Sequence, residues 1–189
     1  MERAFKTHQY AALVLQERGG DLMCAFGPDS CTHSRQAIKT LASLGRQHDL
    51  SVVLLGSYQK LAAASRLLVE DESAAAKAAG IAYVEVSQEL QHLRRAAPDL
   101  TWFDTDGMHP GKDLILLDAM RIYKELFGSY PDAKSFVVHA PIYTSHSGLT
   151  DALRACDAAP PKAQTPREVS YSSDTMSKVL AIIDKSDEG

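Results

Sequence analysis

SVVLLGSYQKLAAASRLLVEDESAAAKAAGIAYVEV, from Ser51 to Val86, is the stretch whose reading decides the fold class. Its first five residues form a short apolar run closed by Gly56, the pattern of a strand covered on both faces. Leu61–Ala79 is Ala-rich and favours helix, with the acidic residues at 70–72 as a candidate break. Gly80 stands where a helix C-cap is expected, and Ile81–Val86 is apolar again. Strand, helix, strand at this spacing predicts a right-handed crossover between parallel strands.

The same alternation continues on either side. Ala11–Gln16 (AALVLQ) reads as a strand, followed by a turn through Arg18-Gly19-Gly20-Asp21. A loop runs from Gly27 to about Thr32, and Ser34–Gln47 reads as a helix with Ile38, Leu41, Ala42 and Gly45 on one face. Downstream, Ser87 is placed to cap a helix over Gln88–Ala96, which Pro98 stops. Leu100–Asp104 is a fourth short extended run. Lys112–Phe127 is the strongest helix, with Ile115, Ala119, Ile122 and Leu126 lining one face, widened by Leu116, Met120, Tyr123 and Phe127. The expectation is an α/β domain with a sheet of four or five mainly parallel strands and helices on both faces. It spans residues 1–130, followed by an extension at 131–157 and a Pro-containing linker with a short C-terminal segment at 158–189. Phe136–Ala140 is a candidate further strand, Ala158–Arg167 the linker proper, and Met176–Ile183 a short terminal helix.

Composition narrows the function classes. The 189 residues carry 20 Lys and Arg against 24 Asp and Glu, a net charge of −4, which gives no basic footprint for nucleic acid. The longest aliphatic runs, Val52–Leu55 and Leu114–Leu117, are far too short to span a bilayer. The opening MERAFKTHQY is charged and lacks the apolar core of a secretory signal. Of Cys24, Cys31 and Cys156, the first two share a loop and can pair in an oxidising compartment; the reading adopted is two free thiols.

The densest chemistry lies in Asp104-Thr105-Asp106-Gly107-Met108-His109-Pro110-Gly111. It follows a strand and precedes a helix, where open α/β sheets bind ligands. Asp106 and His109 are close enough, across a turn that Gly107 can bend, for the carboxylate to reach the near imidazole nitrogen. That would fix the tautomer and leave the far nitrogen as a general base. Pro110 suits the mouth of the following helix. A metal reading through Asp104, Asp106 and His109 finds no second ligand cluster, so neither metal nor cofactor is expected.

These residues carry a family resemblance. Gly80–Phe127, with its DGMHPG loop, resembles the C-terminal half of an SGNH (GDSL-type) hydrolase, in which a D-x-x-H-P block supplies the Asp and His of a Ser-His-Asp triad. AALVLQ followed by RGGD resembles the family's third block, a strand ending in G-x-N-D, and SVVLLGS resembles its next sheet strand. The likeness runs from about residue 8 to 128. It implies a three-layer, flavodoxin-like α/β/α fold and an esterase that cleaves carboxylic or acetyl esters, with His109 as general base oriented by Asp106. The substrate would be a small-molecule, lipid or sugar ester.

The chain also departs from the pattern. The family's Gly-Asp-Ser nucleophile strand and its oxyanion glycine precede the strand matched here by residues 11–16, so the domain is expected to be incomplete at its N-terminus. The family's oxyanion Asn would fall at Gly20. Ser30, in Gly27-Pro28-Asp29-Ser30, sits after the wrong strand to replace the nucleophile, and nothing local activates Cys24 or Cys31. An exposed sheet edge should make the chain prone to self-association. The second reading is a non-catalytic, degenerate SGNH-like binding domain.

Overall fold

The computed structural model describes residue 5, residues 10–140 and residues 167–187. The chain forms two compact units, one of residues 1–132 with 178–189, the other of residues 133–177. The fold is mixed α/β: among the described residues there are five helices, a parallel sheet and a separate antiparallel sheet.

In the first unit β1 (Ala12–Leu15), β2 (Ser51–Leu55) and β3 (Ala82–Val84) run parallel in the order β1-β2-β3. Leu13 lies level with Val52, Leu15 with Leu54, and Leu54 with Tyr83. Residues at matching register point to the same face. That face is covered by α1 (Pro28–Gln47) and α2 (Ala62–Ala79), and Ile38, Ala42, Ala75, Ala76 and Ala79 complete the core there. Alanines on α2 let that helix approach the sheet closely. It is continuous, so the acidic stretch at 70–72 does not break it: Glu72 is buried and hydrogen-bonded. Gly80 ends it in the left-handed conformation, φ 65°.

α3 (Ser87–Ala96) packs beside α2, and α4 (Lys112–Phe127) lies on β2 and β3. Val53 and Leu55, on the second sheet face, are buried, whereas Val14, level with Val53, is 39 % exposed. The second face is therefore bare at β1. The outer edge of β1 is also unpaired among the described residues.

Several expectations need correction. The parallel sheet has three strands rather than four or five. Leu100–Asp104 joins no sheet and forms one isolated bridge, Phe103 with Pro110. Its main chain is used locally: Asp104 N donates to His109 O at 2.9 Å and Gly111 N to Trp102 O at 3.0 Å. α1 starts at Pro28, so Ser30 and Cys31 lie in its first turn rather than in a loop. Ser87 does not cap α3. Its Oγ accepts from Gln59 N at 2.9 Å, and Glu85 caps the helix through Gln88 N at 2.6 Å and Glu89 N at 3.1 Å.

α4 is rotated from the expected face. Leu114, Leu116, Leu117 and Met120 are buried, while Ile115, Tyr123 and Phe127 are 51 %, 40 % and 67 % exposed. A helix reading LILL has apolar residues on most sides, so periodicity cannot choose among them. The rotation is set at its start, where Asp113 Oδ2 accepts from Thr101 N at 2.7 Å. Gly111 permits that approach, since a Cβ there would lie 2.2 Å from Thr101 O.

Cys24 and Cys31 form a disulfide, against the reading of two free thiols. It ties the turn after β1 to the first turn of α1, with Cα atoms 4.7 Å apart. Neighbouring positions in sequence did not reveal that the turn folds back on the helix. Closing so short a loop should stabilise the fold by roughly 2 kcal/mol. A Cys24→Ser/Cys31→Ser variant should therefore show a lower urea midpoint, with an m-value no smaller than the parent's because the crosslink acts on the unfolded chain. An unchanged midpoint would remove the crosslink from the stability account.

In the second unit β4 (Phe136–Ala140) and β5 (Arg167–Tyr171) pair antiparallel. Phe136 stacks on Tyr171 with ring centroids 5.0 Å apart. The candidate strand at 136–140 thus forms, in this separate sheet rather than the parallel one. α5 runs from Ser173 to Asp187, longer than the expected Met176–Ile183. In the first unit its Val179 and Ile183 are buried and Lys178 Nζ meets Asp99 at 2.5 Å. Of the extension expected at 131–157, residues 141–157 lie outside the described residues, as does the linker at 158–166. No helix among the described residues is long and apolar enough to cross a membrane.

Candidate functional site

Asp106 and His109 meet in the loop ahead of α4. Gly107 turns the chain with φ +68°, and Gly107 N donates to Asp104 O at 2.8 Å. Asp106 Oδ1 then accepts from Met108 N at 2.8 Å and His109 N at 2.9 Å. Its Oδ2 is left to bind His109 Nδ1, and the two are in hydrogen-bond contact. Crowding is not what excludes a side chain at Gly107: a Cβ there would meet Lys60 Nζ at an ordinary 3.5 Å. The positive φ is what disfavours substitution.

The His109 hydrogen bond, with those from Met108 N and His109 N, holds the Asp106 carboxyl down at about 2. The same hydrogen bond and the Asp106 charge raise the His109 pKa above its ordinary 6.5. The His109 side chain is 73 % exposed, and among the described residues nothing binds its Nε2. The pair therefore presents an oriented imidazole with its outer nitrogen open to a reactant.

His109 lies on the rim of a hollow of about 480 Å³. The walls are the turn after β1, Gln16–Gly19, and the turn after β2, Ser57–Lys60, both at the carboxyl ends of the sheet. Phe103, Met108 and Pro110 close one side, and Asp118 of α4 lines it too. The two turns are held together: Gln59 Nε2 donates to Gly19 O at 2.5 Å and Gln16 Nε2 to Gly56 O at 3.3 Å. Tyr58 Oη donates to Met108 O at 2.8 Å, which fastens the His109 loop to the second turn. Burial, with the Asp118 and Asp106 charges, pushes the Tyr58 phenol up to about 12, so it stays a donor.

Behind this wall lies a proton-bearing network that the sequence did not announce. Ser57 Oγ is 2.7 Å from Glu72 Oε1 and 3.1 Å from Glu17 Oε1, and Tyr83 Oη is 2.8 Å from Glu72 Oε2. Ser57 N donates to Glu72 Oε1 at 2.9 Å, and Leu22 N to Glu17 Oε2 at 3.1 Å. Ser57 has one hydroxyl proton for its two carboxylate contacts, so a proton on a carboxyl completes the network. Glu72 is the buried one, and burial pushes its carboxyl up to about 7 despite the opposing hydrogen bonds. The one available signal was a lone Glu at a core-facing position of an Ala-rich helix.

The other sequence candidates lie elsewhere or are committed. Ser30 lines a different hollow, and its Oγ donates to Gly27 O at 2.8 Å. Cys24 and Cys31 are in the disulfide. Asp104 belongs to the same loop, where its Oδ1 accepts from Thr105 N at 2.7 Å. No serine hydroxyl is bonded to His109 among the described residues. The described residues also hold no cluster of three or more potential metal ligands. Comparisons with protein-family models, curated proteins and solved structures match nothing to this chain.

Proposed function

We propose that the first unit is the carboxyl-terminal part of an SGNH (GDSL-type) ester hydrolase, with His109 as general base and Asp106 as the group that orients it. The observation that carries this reading is the Asp106–His109 pair standing over a hollow at the carboxyl ends of β1 and β2. The topology supports it. Three parallel strands in sequential order correspond to the last three of the flavodoxin-like order 2-1-3-4-5. In that order the first strand would sit against the outer edge of β1, and its helix would lie on the sheet face where Val14 is exposed. Ile115, Ala119, Tyr123 and Phe127, the outward stripe of α4, would then be covered by the same helix.

The chemistry follows from that placement. A serine at the carboxyl end of the added strand would give its proton to His109 Nε2 as Oγ attacks the ester carbonyl. Asp106 would stabilise the imidazolium that forms. The proton would then pass to the departing alcohol oxygen as the carbon–oxygen bond breaks, and water would repeat the sequence to release the acid. The second reading, a non-catalytic binding domain, draws on the lack of a serine partner for His109 among the described residues. Pairing of two copies through the β1 edge belongs to either reading.

A fluorophosphonate probe separates the two. The 189-residue chain should remain unlabelled and should not hydrolyse p-nitrophenyl acetate. The chain fused to an N-terminal strand ending in Gly-Asp-Ser should be labelled at that serine. A fusion that folds yet takes up no label would end the hydrolase reading.

A further inference from the structure

Asp118 has no role in the chemistry above, and its position is unusual. It is the one charged residue in LILLDAM, 114–120, an otherwise apolar segment of α4. Its Oδ1 is inaccessible to water and has no hydrogen-bond partner. The residue nonetheless lines the hollow under His109. Donors that line the same hollow point to main-chain oxygens: Tyr58 Oη to Met108 O, Gln59 Nε2 to Gly19 O, and Lys60 Nζ to Gly107 O at 3.4 Å. An acceptor stripped of water and left unpaired is destabilising, and more so if charged. Burial accordingly raises the Asp118 carboxyl to about 7. Core packing does not account for an acid here, since Leu or Met would fill the position without that cost.

We propose that Asp118 is the anchor of a ligand subsite in this hollow, and that the ligand carries a hydrogen-bond donor, O–H or N⁺–H, which the Asp118 carboxyl receives. Within the hydrolase reading this makes the substrate a small polar ester with a donor beyond the scissile bond, rather than a plain hydrocarbon ester. The subsite rests on that reading only in sharing its hollow. Binding does not require hydrolysis, so the two fail separately.

Three matched esters test it, with binding to the chain followed by NMR shift perturbation. Hydroxyethyl butyrate offers an O–H, dimethylaminoethyl butyrate an N⁺–H, and isopentyl butyrate neither. At least one donor ester should bind about tenfold or more tighter than isopentyl butyrate, as one hydrogen bond to a buried carboxyl implies. Asp118→Leu should abolish that preference. Asp118→Asn, which keeps an acceptor, should retain a hydroxyl ligand and lose an ammonium one, which identifies the donor. Equal binding of all three esters, or a preference that survives Asp118→Leu, would overturn the proposal. So would a stabilised Asp118→Leu variant in a protein that binds none of the esters, since the acid would then be a packing defect only.

Discussion

Glu72→Gln should match the parent in stability at about pH 5 and exceed it at about pH 8. The sign follows from the direction of the shift. The folded-state carboxyl titrates at about 7 against 4.5 when free, so between those values the folded protein holds a proton that the unfolded chain has released. Stability from this group is fully present below the lower value and is lost as pH rises through the upper one. The loss is roughly 3 kcal/mol if Glu72 acts alone. Gln fills the same space, its carbonyl oxygen accepts from Ser57 N and its amide N–H can donate to Tyr83 Oη, and it has no proton to lose. Glu72→Ala should instead cost about 3 kcal/mol at about pH 5, through a cavity and through Ser57 N–H and Tyr83 O–H left without an acceptor, and much less at about pH 8, where the parent has already lost the Glu72 contribution. Asp118, also raised to about 7, adds a parallel slope in the same window, so Glu72→Gln should flatten the pH dependence without abolishing it. Urea unfolding at the two pH values is the measurement. A variant with the full parental slope would show that Glu72 carries no proton near neutrality.

The second large effect rests on the proposed hydrolase reading and concerns His109 in the chain fused to a Gly-Asp-Ser strand. His109→Ala should remove esterase turnover and probe labelling together. Asp106→Asn should reduce turnover by about 10⁴-fold while substrate still binds, because the imidazole loses the partner that selects its tautomer. The pH profile is a separate readout. Only the neutral imidazole can accept the serine proton, and Asp106 holds the His109 pKa above 6.5. Turnover should therefore fall as pH drops through that raised value, and Asp106→Asn should move the midpoint down towards the ordinary one. A midpoint unmoved by Asp106→Asn would detach the carboxylate from the base.

The crossover at 51–86 was legible because a buried strand and an Ala-rich helix have different periods and Gly80 marks the join. Asp106 with His109 was legible for a related reason. Their contact is local, and the turn that makes it is written in Gly107 and Pro110. The missing fourth strand was not legible. Residues 100–104 have strand-like composition, but their hydrogen bonds are taken by residues 109–113, a choice made by the loop closing on itself. The orientation of α4 was likewise decided by one carboxylate at Asp113 meeting Thr101 N, since the apolar pattern alone allowed several faces.

What the amino-acid order determined by itself was the alternation of elements, the parallel sense of the central strands and the local Asp–His turn. These depend on periodicity and on contacts a few residues apart. The tertiary structure alone decided the rest: the Cys24–Cys31 bridge, the Glu17–Ser57–Glu72–Tyr83 network and the unpartnered Asp118 oxygen beneath His109. Each of these depends on which buried surfaces meet. A carboxyl is ordinary or strongly perturbed according to the water and donors around it, and only the packed chain assigns those.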